Sequence, residues 1–273
     1  FASALLAVGW TLPGRLLGAA DWPTVLFFLA FGLFTIAIGY DHSAFGYVSF
    51  DRIAQVSSLL VLGPVDAAWI NGLASLLYPW HRLRKGVPLR AVAFASLNNA
   101  GLMALMILAA GHVYLAAGGA APLAVLDASA FVAILLLLVV MQVINEAAMM
   151  TLYRLRGLSP REAFSLFDTA MELAAGVAAI VVAITWTRME TSVLTLLLAV
   201  LAAGMLALKR FAEMRLELER LVAERTAALE GKTLELERLA ARDTLTGLHN
   251  RRSADARLEA ELARVLREGG ELS

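Results

Sequence analysis

Apolar residues fall in long blocks, separated by polar, glycine- or proline-containing steps. Those blocks predict helices able to cross a bilayer, for which about 20 residues are needed. Residues 1–12 are too short to span alone and read as the end of a first helix, closed by Pro13 and Gly14. Asp21, Trp22 and Pro23 read as an interfacial turn, followed by a span over 24–38. Tyr40, Phe45, Tyr47 and Phe50, in the stretch 40–52, have the composition of a belt at headgroup level. Residues 53–80 are cut at Gly63-Pro64 into pieces of 11 and 17 residues, the first about 16 Å long and so half a bilayer. Two readings fit that break: one kinked crossing, or a re-entrant hairpin that returns to its starting side. The hairpin is favoured because it lets 1–12 belong to an ordinary first span. Pro79 and Trp80 close the segment. Further spans are predicted over 91–112, 123–150, 164–186 and 193–208. The fold class is an all-α polytopic membrane bundle of about six to seven hydrophobic helical segments.

From Lys209 the last span is predicted to continue without a break as a charged helix over 209–240. Phe211, Met214, Leu218 and Leu221 follow a 3-4-3 spacing, and Val222, Leu229 and Leu236 resume it one position later. That shift resembles a stutter in a parallel two-stranded coiled coil. A single solvated helix held by i,i+4 ion pairs is the competing reading. Arg225 and Lys232 near the seam and Gly231 within it predict weak pairing in the second half, which suits a two-state switch.

Composition agrees with the pattern. The chain has 273 residues, 60% hydrophobic and 17% charged, against about 25% charged in soluble domains. Its mean hydropathy is +0.72. Net charge is zero, which gives no reason to expect nucleic acid as a partner. The absence of cysteine excludes disulfides and thiolate chemistry. His42, His81, His112 and His249 share no face, so no metal site is expected. The sequence opens on Phe1 rather than Met and reads as part of something longer; no basic leader marks a complete signal peptide. Arg82, Arg84, Lys85 and Arg90 follow the segment 53–80, and Arg154, Arg156 and Arg161 follow 123–150. Lys209 and Arg210 close the last span, whereas 111–122 holds no Lys or Arg and the connection near Thr187 holds only Arg188. By the positive-inside rule the basic connections and the C-terminus face the cytoplasm.

Polar groups within a bilayer call for a partner or a purpose. The candidates are Asn71, Asn98, Asn99, Gln142, Asn145, Glu146, Asp168 and Glu172. Counted from the cytoplasmic helix ends, Asn71, Asn98, Asn145, Glu146 and Glu172 lie on the order of 12–16 Å deep, which predicts one polar level. Gln142, Asn145 and Glu146 share a helix face. Either the level is interhelical hydrogen bonding, helped by close approach at Gly101, or it lines a cavity for a small polar ligand.

The stretch Asp243-Thr-Leu-Thr-Gly-Leu-His-Asn-Arg-Arg252 reads as a helix end, a tight turn at Gly247 and a new helix capped by Asn250. Ala254, Leu258, Leu262 and Val265 give the new helix its apolar spacing, and Gly269-Gly270 stops it. This string resembles the opening of the GGDEF domain of bacterial diguanylate cyclases, whose pattern D-x-L-T-G-L-x-N-R-R is filled by Asp243, Leu245, Thr246, Gly247, Leu248, Asn250, Arg251 and Arg252. The resemblance covers about the last thirty residues. It implies that 241–273 is the start of an α/β GGDEF domain; the hydrophobic pattern ahead of it gives 1–208 as a transmembrane sensory region and 209–240 as a signalling helix. It also implies a homodimer in the bacterial inner membrane with its C-terminus in the cytoplasm, where GTP is. Catalytic residues, GTP and Mg2+ (or Mn2+) would belong to residues beyond Ser273, so none is assigned here. Gly269-Gly270-Glu271 imitates the signature loop but comes too soon after the turn. An ion pair between Asp243 and Arg252 or Arg251 is expected across the turn. The stretch Leu62-Gly-Pro-Val-Asp-Ala-Ala-Trp69, with Asn98-Asn99, resembles one type of polytopic sensory region, similar in helix count to substrate-binding subunits of vitamin transporters.

The function implied is a membrane receptor that controls cyclic di-GMP synthesis through a dimeric stalk. One alternative is a sensor for a degenerate GGDEF or GGDEF–phosphodiesterase output that binds or degrades the nucleotide. A solute-binding transporter subunit is disfavoured, because transport needs no charged stalk.

Overall fold

The computed structural model describes residues 22–42, 46–155, 157, 166–242, 246 and 248–268. The expected segment 1–12, Phe45, Arg156, Arg161 and Gly269 to Glu271 lie outside them. By internal contacts the chain divides into a unit ending at Glu213 and a second beginning at Met214. In the first unit, helix α1 (Trp22–Ala37) leads into a short antiparallel hairpin, β1 (Tyr40–His42) with β2 (Gly46–Val48). Helices α2 (Asp51–Leu62) and α3 (Pro64–Leu77) follow, then a 3-10 segment, Tyr78–Lys85. Helices α4 (Leu89–Ala116), α5 (Ala128–Leu155) and α6 (Leu166–Arg188) complete the bundle, and α7 (Thr191–Ala240) begins in it. Helix α8 (Arg251–Glu268) lies in the second unit.

Four of these helices, α4 to α7, are long and apolar enough to cross a membrane, while α1 is apolar but only 16 residues long. Their interior is closed by Phe28, Leu59, Met106, Ile107, Ile134 and Leu137, all buried.

The break at Gly63-Pro64 is a fold-back. Gly63 has φ +93°, a conformation that glycine tolerates, and Pro64 opens α3, where its missing N–H is not needed. Ser58 and Asn71 are 13 positions apart, which would separate them by about 20 Å along one helix. Instead the Asn71 amide donates to Ser58 Oγ at 2.8 Å. Helix α1 crosses both arms at Gly32, where a Cβ would lie 3.4 Å from Ala74 and 4.0 Å from Ala54. The turn is clasped from outside as well: Leu123 N–H donates to the Leu60 carbonyl at 2.7 Å.

Helices follow one another in alternating directions. Lys209 Nζ reaches the Ala37 carbonyl at 3.5 Å, so the basic end of the last span sits by the end of α1. The fold-back at Gly63 returns α3 to that same end, together with Arg82, Arg84 and Lys85 of the 3-10 segment. At the opposite end Thr187 Oγ1 donates to the Leu123 carbonyl at 3.0 Å and Arg188 Nε to that of Ala124 at 2.6 Å.

Several expectations need correction. Trp22 and Pro23 begin α1 rather than forming a turn, because proline suits a first helical turn. Tyr40 and Phe50 do not face headgroups: both are buried, with ring centroids 6.0 Å apart, because the β hairpin folds them under the bundle. Helix α5 starts at Ala128, not at Leu123. Asp127 caps it, accepting from Ala130 N–H at 2.8 Å and Ser129 Oγ at 2.7 Å. The Ala130 N–H, then the Ser129 hydroxyl, hold the exposed Asp127 carboxyl below the ordinary range. Helix α7 does run unbroken for 50 residues. Its most apolar window is only 6% buried, against 28–33% for α4 to α6.

Candidate functional site

The first turn of α2 carries Asp51, Arg52 and Gln55 on one side. Arg52 is 4% exposed, and its Nε donates to Glu172 Oε2 on α6. Its second nitrogen, Nη1, lies 3.6 Å from Met106 Sδ on α4, a weak acceptor. Gln55 Nε2 donates to Asp51 Oδ2 at 2.7 Å and approaches Met103 Sδ at 3.1 Å. Gln55 Oε1 is buried without a partner among the described residues. Three helices therefore meet at one charged node. A guanidinium stays charged in any environment, so Glu172 is the group that makes its burial tolerable. The sequence reading located Glu172 but missed Arg52, which it counted with the aromatic belt. A carboxylate within an apolar helix needs a cation, and Arg52, in the first turn of α2, is a cation that the sequence offers beside an apolar run.

The remaining polar candidates have separate surroundings and are not gathered around one site among the described residues. Asn71 is buried between α3 and α2, donating to Ser58 and to the Ala67 carbonyl at 2.8 Å. Gln142 Nε2 donates to Glu146 Oε1 at 2.8 Å along α5, where both, like Asn145, are half-buried. Asn98 and Asn99 are exposed on α4. The Asp168 side chain lies outside the described residues. Depth along an axis was computable from sequence, but the direction each side chain faces around its helix was not.

His81 and His112 each use Nδ1 on a carbonyl of their own helix, those of Tyr78 and Leu108. No three His, Cys, Asp or Glu converge among the described residues as metal ligands would.

At the far end, α7 stops at Ala240 and the chain returns through an antiparallel bridge between Arg242 and His249. Asn250 fastens both sides. Its N–H donates to the Ala241 carbonyl at 3.0 Å, and its side-chain amide donates to that of Ala240. Its Oδ1 accepts from Ser253 N–H at 2.9 Å, the N-cap expected for α8. One side chain thus satisfies an orphan carbonyl of one helix and an orphan N–H of the next. Thr246 lies in the turn, whereas Asp243, Leu245 and Gly247 are outside the described residues, and with them the expected Asp243–Arg252 ion pair. Arg251 Nε approaches Asp255 Oδ2 at 4.0 Å, fully in solvent, and Arg252 is exposed beside it. Such pairs contribute little.

Along α7 the seam residues Phe211, Met214, Leu218, Leu221, Val222, Leu229 and Leu236 are all exposed. Pairs such as Arg215–Glu219 and Arg220–Glu224, each 3.1 Å, cover the rest of that surface. No family model, curated protein or solved structure matches the chain.

Proposed function

We propose that this chain is the sensory and signalling part of a membrane receptor that controls cyclic di-GMP synthesis. The observation that carries the reading is the string from Asp243 to Arg252 at the end of a membrane-crossing helix. In this reading α7 pairs with its copy as a parallel coiled coil beyond Lys209, in the cytoplasm of a bacterial cell. The exposed 3-4 spaced stripe on α7 supports that pairing, since apolar side chains repeated at heptad spacing are stable only when covered. The Asn250 clamp fixes how the stalk enters the domain that follows, so a turn of the stalk reorients two GTP-bearing domains. Input reaches α7 through α6, which the Arg52–Glu172 pair ties to α2.

A chimera tests this. Residues 1–273 are joined, in register with the Asp243–Arg252 string, to the remainder of an active GGDEF domain, and cellular cyclic di-GMP is measured. Removing seven residues from 214–240 turns the junction by only about 20° and preserves output. Removing two turns it by about 160° and abolishes output. Equal output from both deletions overturns the stalk mechanism, and no nucleotide from the intact chimera overturns the cyclase reading.

A further inference from the structure

Helix α4 has one face in the bundle and another that the described residues leave exposed or half-buried. Val92, Ala104, Ile107 and Tyr114 are buried on the inner side. On the opposite side Ala95, Asn98, Leu102, Leu105, Ala109 and His112 recur at 3-4-3-4-3 spacing, and all are exposed or half-buried. Asn98 is the second of these six positions and is itself exposed. It makes no hydrogen bond among the described residues. It lies about 14 Å along the helix from Leu89 and about 27 Å from Ala116, within a hydrocarbon core about 30 Å thick. Lipid tails offer an amide neither donor nor acceptor, so a primary amide held there requires a polar partner.

We infer that this face of α4 is a contact between two copies of the chain within the bilayer, with Asn98 of each copy paired across a two-fold axis. An amide carries both a donor and an acceptor, so two identical amides related by a two-fold satisfy each other. The spacing suits left-handed packing of parallel helices, and Ala95 and Ala109 let the backbones approach. A polar side chain in such a seam also selects one register, because any slip leaves both amides unpaired. The inference rests on the membrane reading but not on the stalk: it assigns a separate contact, one that pairs the sensory region itself.

The chain has no cysteine, so single cysteines report proximity without background. The full chain is oxidised in native membranes, carrying Leu105→Cys on the proposed face. Parallel samples carry Val139→Cys on the exposed side of α5, or Leu218→Cys on the stalk. Leu105→Cys is expected to form a disulfide-linked dimer and Val139→Cys is not. Adding Asn98→Val to Leu105→Cys lowers the dimer fraction about five-fold or more, while Asn98→Gln keeps it. Cross-linking at Leu218→Cys without any at Leu105→Cys overturns the α4 contact and leaves the stalk standing. A Leu105→Cys dimer indifferent to Asn98→Val, or matched by Val139→Cys, also overturns it. A Leu105→Cys dimer with none at Leu218→Cys supports the α4 contact and counts against the stalk.

Discussion

Arg52 and Glu172, 120 positions apart in the chain, form an ion pair whose side chains are 5% and 25% exposed. It joins the start of α2 to the first turns of α6, with Met106 of α4 against the guanidinium. Removing one member should cost far more than the pair contributes, because the other charge stays buried alone. Glu172→Leu is expected to destabilise the bundle by about 3–5 kcal/mol. Arg52→Met combined with Glu172→Leu should recover most of that loss, since neither charge then remains. Thermal unfolding in nanodiscs measures this double-mutant cycle. Additive losses would show that the two side chains do not act as a pair.

The fold-back at Gly63 depends on the absence of a side chain one helix away. A Cβ at Gly111 would stand 2.5 Å from Pro64 Cβ and 2.6 Å from its Cγ, and a proline ring cannot swing aside. Gly111→Ala should therefore push α4 off the turn and destabilise the unit by about 1–3 kcal/mol. Gly204→Ala on α7 is the control: nothing lies within 4 Å of its added carbon. It should change stability by less than about 1 kcal/mol. Equal effects at the two glycines would mean that helix propensity, not contact with Pro64, is being measured.

What could be read from the sequence was whatever depends on neighbours along the chain. The unbroken run of α7, the break at Gly63-Pro64 and the cap at Asn250 each follow from local spacing, from a residue able to take positive φ, or from a side-chain acceptor. The Arg52–Glu172 pair depends on how α2 and α6 cross, which no local pattern encodes. Rise per residue gave depths for Asn71, Asn98 and Glu172 but not their azimuths, so three separate environments could not be told apart in the sequence. Tyr40 and Phe50 misled for the opposite reason: aromatic residues near a bilayer surface suit a headgroup belt, yet a short hairpin can turn them inward.

Asp127 offers a pH test at the edge of the bundle. Its carboxyl is held below the ordinary range by the Ala130 N–H and the Ser129 hydroxyl, so capping favours the charged form. A depressed folded pKa contributes stability that is fully present above the unfolded carboxylate value. That contribution is lost as pH falls through the lower folded value. The difference in melting temperature between the natural chain and Asp127→Asn should therefore shift against the natural chain on acidification through that window. A difference that stays constant across that window would show that the cap does not depend on charge.

Asn250 allows its two duties to be separated. Asn250→Ala removes both the cap on Ser253 and the bond to the Ala240 carbonyl, and should cost about 0.5–2 kcal/mol, the usual range for a lost N-cap. Asn250→Asp keeps an acceptor for Ser253 N–H, and aspartate caps as well as asparagine. It has no donor for Ala240, however, and sets a negative charge against that carbonyl. If the residue serves only to start α8, Asn250→Asp should behave like the natural chain in amide exchange across both helices. If it also holds α7 to α8, exchange should stay slow at Ser253 and Ala254 but rise in the last turn of α7, and nucleotide output from the chimera should lose its dependence on stalk phase. The clamp is expected to show the second pattern, because the Ala240 carbonyl is one of the helix-end acceptors that α7 itself cannot satisfy. Protection of the last turn of α7 in Asn250→Asp equal to that in the natural chain would reduce Asn250 to an ordinary cap.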